Sequence, residues 1–188
     1  TWGEGHGTHV AGTIAAVNNN GIGISGIAGG TGNGDGVKIM SCQIFHPTNG
    51  YYDANTDQTA QAIKYAADNG AVICQNSWGY AAGAFGSESQ WISYDRAIKD
   101  AIDYFIAYAG MSPDGKTQTG PMAGGIVTFA AGNEYSAQPA YPAAYSACIS
   151  VPSISCNYEA ASYTNYGSTV DIAAPGGGAW ASSSRDIP

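Results

Sequence analysis

Basic side chains are scarce in this chain: 6 Lys and Arg stand against 14 Asp and Glu among 188 residues, a formal charge of −8, and only 11% of residues are charged. Binding a phosphate backbone needs clustered Lys and Arg, so this balance argues against nucleic acid as a partner. Long apolar runs are also missing. Stretches such as Gly124 to Ala131 fall far short of the ~20 apolar residues that cross a bilayer, and no transmembrane segment is expected in this chain. The start, Thr1-Trp2-Gly3, has neither a basic region nor an apolar one behind it, so no targeting peptide is visible. Cysteine is limited to Cys42, Cys74, Cys148 and Cys156, with no C-x-x-C spacing, which removes zinc-ribbon and thioredoxin readings. Three pairings remain open, as do buried free thiols packed as small hydrophobes. If the strands carrying Cys42 and Cys74 are neighbours, that pair is the first to test.

Glycine is abundant instead, at 27 residues, about twice the usual share of roughly 7%. No Gly-X-Y repeat accompanies it, so collagen is excluded. The glycines stand beside small residues at the ends of apolar segments, where tight turns and close backbone approach are needed. With 44% hydrophobic residues there is material for the core of one acidic, compact domain. The low charge, 13 Tyr and 4 Trp suit an exported bacterial hydrolase, extracellular or at the cell surface.

Three segments have helical periodicity. After His6, the residues Val10, Ile14 and Val17 recur at i, i+4 and i+7 among small residues, which lets a helix press closely on a sheet. Between Thr56 and Asn69, Ala60, Ile63 and Ala67 mark an apolar face; Thr56 or Asp57 caps the start and Gly70 stops it. From Gln90 to Ala109 the stripe is Ile98, Ala101, Ile102, Phe105 and Ala109, with Ser87 and Gln90 at capping-box spacing and Gly110 after the end.

Between them lie short apolar runs with the length of buried strands: Val37 to Phe45, Ala71 to Gln75, Gly125 to Ala131, Ala147 to Val151 and Val170 to Ala173. This alternation predicts an α/β fold, a three-layer arrangement with a mainly parallel β-sheet flanked by helices. In such sheets chemistry gathers at the carboxyl ends of the strands, where Gln75-Asn76-Ser77-Trp78-Gly79 and Ala131-Gly132-Asn133-Glu134 occur. Met111 to Gly124 reads as a loop insertion.

The strongest motif is Gly5-His6-Gly7-Thr8-His9-Val10-Ala11-Gly12-Thr13. It places His6 at the mouth of a helix, where unpaired N–H groups and the positive dipole end favour the neutral ring that a general base requires. Flanking glycines leave room for a neighbouring side chain or substrate to reach the imidazole. The wording of this motif resembles the signature around the catalytic histidine of the subtilisin-like serine proteases (subtilases, peptidase S8). The resemblance continues in family order through Asn18-Asn19-Asn20-Gly21-Ile22-Gly23, Gln75-Asn76-Ser77-Trp78-Gly79, Thr128-Phe129-Ala130-Ala131-Gly132-Asn133-Glu134 and Ala174-Pro175-Gly176, and so covers nearly the whole chain.

What the resemblance implies is a subtilisin-like fold and hydrolysis of peptide or protein substrates through an Asp-His-Ser triad and an acyl-enzyme. His6 matches the triad histidine, and Asn133 the side-chain donor of the oxyanion hole. Ser77-Trp78-Gly79 and Ala130-Ala131-Gly132 match the two segments that wall the pocket for the residue before the scissile bond and bind substrate backbone by strand addition. The chemistry requires no cofactor. The loop around Asn19 resembles one that binds a structural calcium through carbonyl and Asn oxygens, although it carries an extra residue and its usual upstream carboxylate is not in the chain.

Other departures bear on specificity and completeness. Trp78 stands where many relatives have a smaller aliphatic residue, and Glu134 is placed either to favour a basic residue in the pocket or to sit on a solvated rim. His9, one turn from His6, is structural in the family; a His6–His9 metal hydrolase is the third reading, and it has no zincin glutamate or clear third ligand. The family's Asp-Thr/Ser-Gly and Gly-Thr-Ser-Met-Ala motifs are absent from residues 1–188, and Ser182, Ser183 and Ser184 lack the context of a nucleophile. Residues 1–188 are therefore expected to be an interior part of a catalytic domain, inactive alone and completed by the remainder of that domain. The alternative is a catalytically dead relative kept as a peptide-binding or structural module.

Overall fold

The computed structural model describes residues 5–48 and 51–178, in two compact units divided between Asn55 and Thr56. In the first unit, α1 (His6–Ala15) is followed by a loop that satisfies its end: the N–H groups of Gly26, Ile27 and Ala28 donate to the carbonyls of Ala16, Thr13 and Ile14 at 2.8–2.9 Å. Those carbonyls lack helical partners of their own, so the loop supplies what the helix terminus requires. Val17, expected to continue the apolar stripe, lies beyond the helix, and no residue of α1 is buried. The unit ends in an antiparallel hairpin of β1 (Phe45–Thr48) and β2 (Tyr51–Ala54).

The expected strand from Val37 to Phe45 is corrected here. Residues 37–44 are irregular, and only Phe45 enters β1. A β-branched run becomes a strand only where another strand answers its N–H and C=O groups in register; Val37 N–H donates to Ala28 O at 3.0 Å, but among the described residues no strand pairs with 37–44.

The second unit holds the core. Its helices are α2 (Thr56–Asp68), α3 (Glu88–Tyr94) and α4 (Arg96–Tyr108), and its main sheet has β3 (Ile73–Asn76), β4 (Ile126–Ala130) and β5 (Ile149–Val151) in that order, all parallel. Cys74 is opposite Val127 and Thr128 is opposite Ile149. A short parallel pair, β6 (Ser153–Ile154) and β7 (Ala174–Pro175), completes it. This is the α/β arrangement of parallel strands and helices that the alternation predicts.

Local chemistry explains the boundaries. The end of α2 is a paired terminus in which Ala71 N–H reaches Ala66 O at 3.0 Å and Gly70 N–H reaches Ala67 O at 3.2 Å; Gly70 turns the chain at φ +92°, a left-handed conformation suited to glycine. At α3, Ser87 Oγ accepts the N–H of Gln90 at 3.2 Å while Gln90 Oε1 accepts Gly86 N–H at 2.8 Å, so the predicted cap is formed with the glutamine reaching one residue further back. The stripe on α4 is buried as expected, with Ile98, Ala101, Ile102 and Phe105 turned inward, and α4 packs on α2 and β4.

Two expectations fail in this unit. The single helix from Gln90 to Ala109 is two, broken at Asp95, whose φ −131° and ψ 47° are not helical. Residues 170–173 are not a strand: Asp171 runs beside β5, but Ser150 N–H donates to its side chain, at 2.7 Å, where a ladder would use a carbonyl. No disulfide joins any of the four cysteines. Cys148 is buried, and loss of water around it pushes its thiol up to about 12. Ser182, Ser183 and Ser184 lie outside the described residues.

Candidate active site

Strands β3 and β4 run parallel, so their carboxyl ends open at the same edge of the sheet, and a cavity of about 200 Å³ lies there. The chain leaving β3 contributes Ser77, Trp78, Gly79 and Tyr80; the chain leaving β4 contributes Ala130, Gly132, Asn133 and Glu134. A third wall comes from Ala140, Tyr141 and Ala143, ahead of β5. Of the eight residues expected on sequence grounds at the pocket and oxyanion positions or as the base, six therefore share one cavity. Ala131 is buried and does not line it; its N–H is spent on Val151 O at 3.1 Å. His6 opens α1 in the first unit with an exposed side chain.

Each wall is fixed by its own bonds. Trp78 meets Phe129 edge-on with ring centroids 5.1 Å apart, and its indole N–H donates to Asn76 Oδ1 at 2.9 Å. Asn76 is itself buried and donates to Thr128 O at 3.2 Å, which ties the Trp78 ring to the end of the sheet. Tyr80 N–H donates to Tyr141 O at 2.8 Å, and a Cβ on Gly79 would stand 3.2 Å from that same carbonyl. Glycine at 79 thus allows the first and third walls to approach. Behind them Trp91 stacks on Tyr141, with centroids 5.3 Å apart and planes 10° from parallel.

Asn133 differs from its neighbours. It is exposed on the cavity, and its carboxamide makes no hydrogen bond with any described residue. Glu134 turns one carboxylate oxygen back on its own loop, where Oε2 accepts Asn133 N–H at 3.0 Å and Asn165 Nδ2–H at 2.7 Å. That oxygen is therefore engaged by its own loop and by Asn165. The site thus presents a free amide donor beside a half-apolar recess, with glycine-bearing backbone on two sides, a form suited to an extended chain and to a carbonyl that gains negative charge.

The amino-acid sequence matches the subtilase family over residues 1–187. The chain belongs to the subtilase family. Thermitase of Thermoactinomyces vulgaris is 34% identical over 175 residues, which cover 93% of this chain and 50% of thermitase. Subtilisin Savinase of Lederbergia lenta is 29% identical over 93% of this chain and 51% of its own length. Among solved structures, a protease of Pseudoalteromonas arctica has 27% identity and a TM-score of 0.64, covering 98% of this chain and 47% of that one. This subtilase chain therefore spans about half the length of these relatives.

Some lining residues were not legible beforehand. Tyr80, Ala140, Tyr141 and Ala143 carry no motif; the signal that could have found them is the small-aromatic run Pro139-Ala140-Tyr141-Pro142-Ala143 set just ahead of a strand in an α/β sheet. Asn165 gave no signal in periodicity or spacing.

Proposed function

We propose that the full-length protein is a serine endopeptidase that hydrolyses peptide bonds through an Asp-His-Ser triad, with His6 as the base and Asn133 in the oxyanion hole. Residues 1–188 form an interior part of its catalytic domain, and the Asp and the Ser come from sequence outside them. In this mechanism the serine hydroxyl attacks the substrate carbonyl as His6 takes its proton; His6 returns that proton to the leaving amine, and water then releases the acyl group by the same route. Asn133 donates to the carbonyl oxygen as it becomes negative, so its hydrogen bond strengthens in the transition state. Ser77, Trp78, Gly79, Ala130 and Gly132 hold the residue before the scissile bond.

The observation that carries this reading is the free Asn133 carboxamide on a cavity at the carboxyl ends of β3 and β4. In the full-length protein Asn133→Ala is expected to lower kcat by about 10²–10³, the range known for removing this donor in a subtilisin, with KM little changed. A kcat equal to that of the unmodified protein contradicts the assignment.

The remainder of the catalytic domain is the partner that this chain requires. Three features of the described residues support this: β3 is at the edge of its sheet, residues 37–44 are β-rich in composition yet join no sheet, and Ile24, Ile27, Val37 and Ile39 expose apolar surface. By itself the 188-residue chain is expected to show no proteolysis. An extracellular or cell-surface location fits its composition; among the described residues no helix is long and apolar enough to cross a membrane.

A structural calcium in the loop from Asn18 to Gly23 is part of this proposal. Oδ1 of Asn18 is buried with no hydrogen-bond partner among the described residues, and the backbone is left-handed at Asn19, Gly21 and Gly23. An orphaned, hard oxygen in a tightly turned loop fits a cation that prefers oxygen ligands. Asn20 Oδ1 is already engaged by Ile22 N–H at 2.9 Å. Among the described residues no three His, Cys, Asp or Glu side chains gather as a metal site, so a carboxylate ligand would come from elsewhere.

A further inference from the structure

The turn that presents Asn133 is fastened by a side chain far along the chain. Asn165 lies between β6 and β7 and is 2% exposed. A carboxamide offers two donor and two acceptor positions, and here all four are filled. Nδ2 donates to Ala131 O at 2.8 Å and to Glu134 Oε2 at 2.7 Å, while Oδ1 accepts the backbone N–H groups of Glu134 and Ser136, both at 3.1 Å. The backbone on either side extends the seam: Asn165 N–H donates to Gly132 O at 3.2 Å, Tyr135 N–H to Tyr163 O at 2.9 Å and Tyr166 N–H to Ser136 O at 3.0 Å.

The chemistry of this site admits little but asparagine. Two acceptors face one end of the side chain and two donors face the other. An aspartate of the same shape has no hydrogen to offer Ala131 O and sets a negative charge against the Glu134 carboxylate; a serine is too short to reach both sides. The backbone at Gly132 is fitted to the same contact. Gly132 has φ +105°, and a Cβ there would collide with Asn165 Nδ2 and stand 2.7 Å from Glu134 Oε2. The loop thus gives up a side chain at position 132 to admit the contact.

Glu134 Oε2 also accepts Asn133 N–H, so a continuous path runs from the Asn165 carboxamide through Glu134 to the peptide unit that carries Asn133. The Asn133 side chain takes no part in the seam and is left to face the cavity. A donor held in place before the reaction is worth more than one that must reorient as charge develops.

We propose that Asn165 is a positioning residue for peptide hydrolysis, acting through Glu134 to fix the direction in which Asn133 presents its N–H to the oxyanion. This rests on the reading of Asn133 as the oxyanion donor. The seam ties one loop of the cavity to the chain before β7, so its loss disturbs the aim of Asn133 more than the binding of substrate.

The test is a mutant cycle in the full-length protein, with competent sites counted by titration with a serine-directed phosphonate and kcat and KM measured on a peptide with an uncharged residue before the scissile bond. Asn165→Ala and the isosteric Asn165→Asp are expected to lower kcat by about ten- to a hundredfold, as an ångström-scale misplacement does, with KM within about twofold. In an Asn133→Ala background the same changes are expected to alter kcat by less than about twofold, because the group they aim is gone. Glu134→Ala, at an exposed position, breaks the path without removing a buried side chain, and is expected to lower kcat as the Asn165 variants do in the parent and, like them, to have little effect in the Asn133→Ala background. An unchanged kcat in Glu134→Ala, a full-sized loss that persists in the Asn133→Ala background, or an effect on KM alone overturns the proposal. If Asn133→Ala itself leaves kcat unchanged, the oxyanion reading fails first, and the role of Asn165 fails with it.

Discussion

Tyr80, on the cavity wall, donates its hydroxyl to Asp95 at 2.8 Å, and Asp95 is 1% exposed at the break between α3 and α4. One bond therefore joins the cavity wall to the point where two helices part. Burial raises the Asp95 carboxyl above its ordinary value, and the nearby Asp57 carboxylate adds to this; the hydroxyls of Tyr80 and Thr56 pull it down.

A pH dependence follows from that shift. The folded carboxyl holds its proton more tightly than the unfolded one, whose pKa is about 3.9. Its contribution to stability is fully present below that value, is lost as pH rises through the folded value, and is constant above it. Asp95→Asn keeps an acceptor for Tyr80 and removes the charge, so the variant is expected to gain on the parent as pH rises above about 4. Tyr80→Phe, which removes a lowering contact, is expected to deepen the parent's loss and to cost about 1–3 kcal/mol near neutral pH. Urea unfolding of the full-length protein across pH checks both. A stability difference between Asp95→Asn and parent that does not vary with pH contradicts the assignment.

Trp91 is fully buried, stacked on Tyr141 and tilted against Tyr145 at 5.5 Å. Its indole N–H has no partner among the described residues, so its value lies in filled volume. Trp91→Ala is expected to destabilise the protein by about 3–5 kcal/mol and Trp91→Phe by much less. Because Tyr141 lines the cavity, KM should rise in Trp91→Ala at temperatures where the variant remains folded. Equal losses for Ala and Phe would show that packing is not what Trp91 supplies.

The loop from Asn18 to Gly23 gives a metal-dependent prediction. Chelation of calcium is expected to lower the thermal midpoint of the full-length protein, and added calcium to restore it. Asn18→Ala should reduce this response. A midpoint indifferent to chelator and calcium removes the proposed ion, without touching the reading of His6 and Asn133.

The elements legible in the sequence are those whose causes are local. The Ile98-Ala101-Ile102-Phe105 stripe and the Ile63-Ala67 face are set by helical spacing, and Gly70 and the Ser87 cap mark helix ends through bonds within a few residues. Two motifs at strand ends, residues 75–79 and 128–134, are enough to bring most of the cavity together. What was hidden depends on distant partners. The helix break at Asp95 accompanies a bond to Tyr80 from another segment, which outweighs the unbroken periodicity around it. Residues 37–44 have strand composition and no strand to pair with among the described residues, and Asn165 shows its use only when four groups from residues 131–136 are folded around it.

The central claim is that His6 activates a serine supplied by the rest of the domain. It is tested most directly by treating the full-length protein with a fluorophosphonate and mapping the labelled residue, alongside His6→Ala. The prediction is a single labelled serine on the carboxyl-terminal side of Pro188, with the labelling rate of His6→Ala reduced by about 10³-fold or more. Labelling of His6→Ala at the parent's rate, or a parent that takes no label, would contradict it.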